Sequence, residues 1–354
     1  MYIESIELKN YRNYETLSLK LDEGTNIFYG DNAQGKTNIL EAAYLCGTTK
    51  SHRGSKDRDL IKFDSDEAHI RMFVKKNGIS RKIDMHLKKT KAKGIAIDGI
   101  PIKKAGELFG IVNMVFFSPE DLNIIKNGPG ERRRFMDLEL CQLNKLYLSN
   151  LSSYNRILNQ RNKLLKDISF NPSLMSTLEV WDEQLAVYGS AVIEGRMGFI
   201  EEIHSNITGG KEKIELIYEP STDRGQFLEE LSRNREKDCR FKMTSTGPHR
   251  DDLCVRINGM DIRKYGSQGQ QRSGVLALKM AECGMVEEVT SETPVVLLDD
   301  VMSELDAGRR DYLLNHLENQ QVFVTCCDED SFRGLKSGKR FLIQSGELMD
   351  TQTY

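Results

Sequence analysis

The chain has 354 residues, 39% hydrophobic and 29% charged, with 50 Lys and Arg against 53 Asp and Glu for a formal charge of −3. It is long enough for one large α/β domain or two of ordinary size. No apolar run approaches the roughly 20 residues that span a bilayer, and so small a net charge gives no overall electrostatic case for a polyanionic partner.

The segment Met1–Lys9 alternates like a strand and lacks the basic and then apolar regions of a signal peptide, so a cytosolic chain without membrane insertion is expected. Next comes the apolar run Ile27-Phe28-Tyr29, then Gly30-Asp31-Asn32-Ala33-Gln34-Gly35-Lys36-Thr37, then a helix-like segment from Asn38 to Cys46. This strand, loop and helix form a complete phosphate-binding loop. Two glycines let the turn carry backbone N–H groups inward around a β-phosphate, the lysine reaches the β/γ-phosphates, and the threonine hydroxyl ligates Mg²⁺. The helix start at Lys36 adds its dipole to the same anion site.

Between Arg71 and Lys104 there are eleven Lys and Arg against two acids, in short alternating pieces such as Arg81 to Leu87. This reads either as a solvated sheet face or as a surface for a polyanion. Ile111 to Phe117 is apolar and is broken by Ser118-Pro119-Glu120-Asp121, with further punctuation at Gly128-Pro129-Gly130. Helical spacing follows, in Tyr147, Leu151, Tyr154 and Leu158, and in Leu178, Trp181, Leu185, Tyr188 and Val192, with Asn171-Pro172 as the connection. Strand signals return in Ile214 to Tyr218 and in Leu253 to Ile257, the latter before the hairpin turn Asn258-Gly259. The predicted organisation is a first half-domain over 1–125 with the phosphate loop and basic meander, an inserted helical lobe over 126–240, and a return to the first lobe over 241–354.

Two elements of the last segment complete a candidate site. Pro294 to Leu298 is an apolar strand ending in Asp299-Asp300, followed by a helix-like stretch from Asp306 to Gln320 and a second apolar strand from Gln321 to Thr325, a βαβ unit. One carboxylate at that strand end can hold Mg²⁺ beside Thr37 while its neighbour orients an attacking water. Upstream, Ser267-Gln268-Gly269-Gln270-Gln271-Arg272 precedes a helix-like run expected over Ser273 to Cys283. A serine and glycine at a helix start can be a second anion site, or equally a simple helix cap. One nucleotide needs one such loop, so two in one chain suggest that each chain's second loop closes on the nucleotide of another copy. The seven cysteines include no C-x-x-C pair, and Cys326-Cys327 are adjacent; reduced, mostly buried thiols are expected.

The order of phosphate loop, helical insertion, Ser-x-Gly-Gln signature, double-acid strand and Met302 to Asp306 resembles the ATP-binding-cassette heads of SMC-like DNA-repair ATPases, and within them the RecF family. The resemblance covers essentially the whole chain, through Leu8 to Tyr14, Gly30 to Asn38, Phe117 to Asp121, Gly247 to Asp252, Gly266 to Arg272 and Leu297 to Asp306. It implies an α/β cassette head, with a mixed sheet and phosphate-loop core plus an inserted helical lobe. ATP and Mg²⁺ would be held by Gly30, Asp31, Asn32, Ala33, Gln34, Gly35, Lys36, Thr37 and Asn38, with Arg12 and Asn13 around the nucleotide. Thr37 and Asp299 would support the metal, and Lys36, Asp300 and Ser267 would serve catalysis. Ser267, Gln268, Gly269 and Gln270 would complete the site in trans within an ATP-dependent homodimer, beside a contact loop from Ser303 to Asp306. It further implies weak DNA-stimulated ATP hydrolysis, binding to single- and double-stranded DNA at gap junctions, interaction with RecR and the RecO/RecA loading system, and no membrane. The DNA candidates are the Arg71–Lys104 stretch, Arg132-Arg133-Arg134, and Arg233, Arg235, Arg240 and Lys242. The alternatives are a cassette subunit energising another partner, such as a transporter, and a nucleotide-binding scaffold without catalysis. Many cassette ATPases carry a glutamine and a histidine where this chain has Ser118 to Asp121 and Thr325-Cys326, so slow turnover is expected.

Overall fold

The computed structural model describes residues 1–206, 213–317, 319–327 and 337–353. Its contacts divide the chain into two units, Met1–Asp121 with Glu282–Tyr354, and Leu122–Ala281.

The first unit contains two six-stranded sheets. One is antiparallel, in the order β2-β1-β4-β5-β6-β7, from β1 (Tyr2–Tyr11), β2 (Tyr14–Lys20), β4 (Glu67–Lys76), β5 (Ile79–Lys88), β6 (Gly94–Ile97) and β7 (Ile100–Pro101). Its alternation is strict where one face is covered: Ala68, Ile70, Met72 and Val74 of β4 and Ile83, Met85 and Leu87 of β5 are buried, while the intervening residues face outward. The other sheet is mixed, in the order β15-β14-β3-β13-β12-β8, from β3 (Thr25–Tyr29), β8 (Met114–Phe117), β12 (Val295–Asp299), β13 (Val322–Cys326), β14 (Gly338–Gln344) and β15 (Glu347–Thr353). All its pairings are parallel except β14 with β15. Strands β8, β12 and β13 are buried at every position, as their unbroken apolar runs require. Helix α1 (Lys36–Thr48) is buried at almost every residue and touches β4 of the first sheet and β8, β12 and β13 of the second. The expected βαβ unit is present as β12, α9 (Val301–Glu304), α10 (Ala307–His316) and β13.

The second unit holds α2 (Asn123–Lys126), α3 (Pro129–Leu143), α4 (Lys145–Ile168), α5 (Leu178–Asn206), α6 (Phe227–Arg233) and α7 (Arg235–Phe241), with a three-stranded sheet of β9 (Ile214–Glu219), β10 (Asp252–Ile257) and β11 (Met260–Asp261). The Asn171-Pro172 break becomes a 3-10 turn between α4 and α5, with the Asn171 side chain capping Ser173 N. Arg161 of α4 is fully buried and reaches Asp182 and Asp238, each at 2.7 Å. Residues 241–281 group with these helices rather than with the first unit, because β10 pairs along its whole length with β9 and meets α3. The unit division falls inside α8 (Gln268–Thr290). No helix among the described residues is long and apolar enough to cross a membrane. All seven cysteines are free; Cys46, Cys141, Cys283 and Cys326 are buried and Cys327 is exposed.

Candidate nucleotide site

Strand β3 ends at Tyr29 and the chain turns through Gly30–Gly35 before α1 begins at Lys36. Both glycines are required by geometry. At φ 136° a Cβ on Gly30 would lie 2.4 Å from the Ile343 carbonyl oxygen, and at φ 114° a Cβ on Gly35 would lie 2.8 Å from the Tyr14 hydroxyl. Ala33 also has positive φ, at 63°. The Lys36 side chain is folded into the loop, its Nζ donating to the carbonyls of Gly30 at 2.7 Å and Asp31 at 2.8 Å. Its ammonium therefore sits at the centre of the turn, where a phosphate oxygen could exchange for a carbonyl.

The loop is braced from the antiparallel sheet and from β14–β15. Asn13 Nδ2 donates to the Gln34 carbonyl at 2.9 Å, Asn38 Nδ2 donates to Asn13 Oδ1 at 2.8 Å, and the Tyr14 hydroxyl donates to the Gly35 carbonyl at 3.0 Å. Gly346 N donates to the Gln34 carbonyl at 3.1 Å. Cys327 Sγ donates to Asn32 Oδ1 at 2.9 Å. Arg12 occupies a neighbouring network instead. Its guanidinium donates to both oxygens of Glu41, at 2.8 and 2.9 Å, to Ser55 Oγ at 2.8 Å and to the Asp59 carbonyl at 3.0 Å. Burial opposes ionisation of Glu41, but the hydrogen bonds from Arg12 and Ser51 outweigh it and hold the carboxyl below its usual range.

Asp299 closes the site from below. Thr37 Oγ1 donates to Asp299 Oδ1 at 2.6 Å, and Thr325 Oγ1 donates to the same oxygen at 2.9 Å. Burial pushes the Asp299 carboxyl above its ordinary range, the two hydroxyls pull it down, and the charge of Asp300 adds to the rise. Asp300 adopts left-handed backbone geometry at φ 51°; its N–H donates to Thr325 Oγ1 at 2.9 Å and its carbonyl accepts from Ser303 Oγ at 2.7 Å. Thr325 is the participant whose part the sequence did not reveal. It stands where many cassette ATPases have a histidine, and the parallel register places it beside Asp299. A single hydroxyl there ties the two acids to the next strand.

The structure thus brings Gly30 to Asn38, Asn13, Asp299 and Asp300 together in the first unit, with Arg12 tied to α1 through Glu41. Ser267 to Gln270 belong to the second unit. Helix α8 starts at Gln268, five residues before the expected Ser273, because Ser267 and Gln270 form a reciprocal cap: Ser267 Oγ accepts from Gln270 N at 3.2 Å and Gln270 Oε1 accepts from Ser267 N at 2.9 Å.

The basic candidates are more neutralised than the sequence suggests. Arg71, Arg81, Lys82, Lys89 and Lys93 each have a carboxylate within 4.0 Å. Arg132 is 1% exposed and bidentate to Asp252, at 2.6 and 3.0 Å, which removes it from any outer surface. Arg133 donates to the Asp251 carbonyl, Arg235 pairs with Asp182, and Arg233 pairs with Glu229.

Comparison with known proteins follows the same lines. Residues 2–346 match the family described as RecF/RecN/SMC N terminal domain. The chain is 56% identical over 361 residues to the DNA replication and repair protein RecF of Lachnospira eligens, covering 99% of each. The chain belongs to the RecF family. It is 60% identical over 339 residues to the DNA replication and repair protein RecF of Agathobacter rectalis, covering 94% of each. Among solved structures it is similar to the recombination mediator protein RecF-ATP in the RecFOR pathway, with TM-score 0.93 and 38% identity over 99% of this chain and 97% of that one. An Smc head domain from Pyrococcus furiosus shares the fold at TM-score 0.58 and 16% identity, over 100% of this chain and 96% of that one. The cassette-head fold is therefore established, and membership of a DNA replication and repair family sets aside the transporter-subunit alternative.

Proposed function

We propose that this protein binds ATP with Mg²⁺ in the Gly30–Asn38 loop, that ATP drives two copies together on DNA, and that slow hydrolysis releases them. The setting is replication and recombinational repair of single-stranded gaps in the cytoplasm. Its partners would be single- and double-stranded DNA at gap junctions, RecR, and the RecO/RecA loading system. The carrying observation is the convergence of Lys36, Thr37, Asp299 and Thr325 at the end of the parallel strands. Support for the setting comes from relatives described as replication and repair proteins and from the RecF-ATP structure.

The residues fit the group they would hold. Thr37 Oγ1 and Asp299 Oδ1 are hard oxygen donors 2.6 Å apart, suited to Mg²⁺ directly or through water. Bound there, Mg²⁺ would neutralise charge on the β- and γ-phosphates. Lys36 would exchange its two carbonyl partners for phosphate oxygens, and the N–H groups of Gly30–Gly35 and the start of α1 would cradle the β-phosphate. Asp300 would orient the attacking water, with its backbone fixed by Thr325. Ser267 to Gln270 of a second copy would receive the γ-phosphate through the serine hydroxyl and the α8 N-terminus.

The decisive experiment mixes two variants. Ser267→Arg should bind ATP about as well as the wild type yet neither dimerise nor hydrolyse it, and Lys36→Met should fail to bind. Their heterodimer contains one intact composite site. Partial recovery of DNA-stimulated ATPase in the mixture supports completion in trans, whereas a Ser267→Arg protein that turns over ATP normally as a monomer refutes it. A wild-type protein that dimerises with ATP on gapped DNA but never hydrolyses it would be the scaffold instead.

A further inference from the structure

The outer face of the antiparallel sheet carries a cluster that the nucleotide chemistry does not use. His69 of β4 and His86 of β5 are direct cross-strand partners, and Glu67 lies two residues before His69 on the same face. The two imidazoles stack with centroids 4.0 Å apart and planes 23° from parallel. Glu67 Oε2 lies 2.8 Å from His86 Nε2, and Glu67 Oε1 lies 3.7 Å from His69 Nε2. Among the described residues this is the one group of three such side chains whose ligand atoms all fall within 4.8 Å of one another.

We propose that Glu67, His69 and His86 form a surface site for a divalent transition-metal ion of borderline softness, with Zn²⁺ as the type. Tetrahedral coordination with metal–ligand bonds of about 2.0–2.2 Å places neighbouring ligand atoms about 3.3 Å apart. One ligand atom from each residue already lies within 4.8 Å of the others, and the half-exposed rings would turn out of their stack so that both Nε2 lone pairs point at one ion beside the Glu67 carboxylate. Two neutral imidazoles and one carboxylate suit zinc and its neighbours, and are poor ligands for Mg²⁺, which prefers an all-oxygen shell. Two stacked imidazolium rings would repel each other, and Glu67 can balance only one of them. Burial and the neighbouring His86 already disfavour the charged form of His69.

The flank of His86 toward β6 is uncrowded. Gly94 of β6 is the cross-strand partner of His86 on its other side, and a Cβ there would come no closer than 4.0 Å to the His86 Cβ. The two histidines and Gly94 line a broad cleft of about 840 Å³. Lys9 stands opposite His69 and Lys88 opposite Glu67. Those two cations repel a metal held by charge alone and leave coordination bonds as the basis of selectivity. The ion would pin β4 to β5 and keep one position for water or an incoming donor.

The test is Zn²⁺ titration of the full-length protein in excess Mg²⁺, read by competition with a chromophoric chelator and by the ring-nitrogen resonances of ¹⁵N-histidine-labelled protein. The Nε2 resonances of His69 and His86 should move on adding one equivalent of Zn²⁺ and stay fixed with Mg²⁺ alone. His86→Ala and Glu67→Gln should each weaken that equivalent by about tenfold or more. Cys327→Ser, which removes the exposed thiol as a rival ligand, should leave it intact. Glu67→Gln alters a half-exposed side chain and keeps the test valid if His86→Ala folds poorly. Unmoved histidine resonances, or unchanged Zn²⁺ affinity in Glu67→Gln, would overturn the assignment. ATP affinity should be the same in His86→Ala and Glu67→Gln as in the wild type.

Discussion

Replacing Thr325 by valine keeps the shape of a buried side chain and deletes one hydroxyl that serves two partners. Thr325 is 1% exposed; its Oγ1 donates to Asp299 Oδ1 and accepts from Asp300 N, both at 2.9 Å. A hydrogen bond to a carboxylate contributes about 1.5–3 kcal/mol and leaving a partly buried N–H without a partner costs about 1 kcal/mol or more, so the loss should be about 2–4 kcal/mol. The first unit is large, and at about 2–4 °C per kcal/mol for domains of this size the midpoint should fall by roughly 8 °C. Thr325→Ser keeps the hydroxyl and gives up one methyl, at about 1 kcal/mol. Valine at this position should therefore be clearly less stable than serine.

The same substitution separates binding from turnover. Lys36 and the loop N–H groups do not depend on Thr325, so ATP affinity without Mg²⁺ should change little. Asp300 loses the bond that fixes its left-handed backbone, and kcat should fall by tenfold or more, about 1.4 kcal/mol of lost transition-state positioning. Calorimetry on the valine and serine variants, together with steady-state ATPase on gapped DNA, measures both effects. Thr325→Val with wild-type melting and wild-type kcat would remove the hydroxyl from the account and with it the coupling of the two acids.

Other consequences are as direct. Asp300→Asn should bind ATP and form a long-lived dimer while hydrolysing poorly, seen as a persistent dimer in sedimentation; equal turnover would transfer the water-orienting role, with Glu304 the first to test. Asp299 titrates above its unfolded value, so the stability it contributes is fully present below the unfolded pKa and is lost as pH rises through the folded one. Asp299→Asn keeps the oxygen that both hydroxyls address, so in urea titrations it should gain on the wild type as pH rises from about 4 to 7, while losing Mg²⁺-dependent hydrolysis; a gap that does not change with pH would contradict the sign. Arg161→Met strands Asp182 and Asp238, both fully buried, and should cost about 3–5 kcal/mol in urea unfolding, with Arg235 and Ser245 N retaining one contact each.

The parts of the site that were legible in the sequence are those whose chemistry is local. Gly30 to Thr37 carries its own geometry, since the spacing of two glycines and a lysine dictates how the backbone turns. Asp299 was legible because it ends an apolar run. Thr325 was visible only as a departure from a common pattern, since its role exists through the β12–β13 register, which sets it beside Asp299 across a parallel pair. Arg132 leaves the set of outward-facing candidates for a related reason: it looks like surface charge until β10 brings Asp252 to it. At α8 the sequence points to a helix only over Ser273 to Cys283, whereas the reciprocal bonds of Ser267 and Gln270 start it at Gln268 despite the poor helix propensity of Gly269.

Both candidate phosphate grips are already bonded within their own segments, and this bears on how the switch would work. Lys36 donates to two carbonyls of its own loop, and Ser267 bonds reciprocally with Gln270. An arriving phosphate therefore exchanges hydrogen bonds at the Lys36 ammonium and at the Ser267 and Gln270 N–H groups, while the Ser267 O–H can donate to it with its oxygen still accepting from Gln270 N. The net gain per exchanged group is only the excess of a charge-assisted bond over the one it displaces, about 1 kcal/mol each. Sums of this size suit a reversible device: enough of them together favour a closed dimer, and losing the γ-phosphate hands every group back its intrachain partner. It follows that strengthening an internal partner should bias the open state. Ser267→Asp, which caps α8 more strongly and repels an anion, should bind ATP on its own loop as well as the wild type yet need far more ATP to dimerise. If its dimerisation matched the wild type at every ATP concentration, the second grip would lie elsewhere.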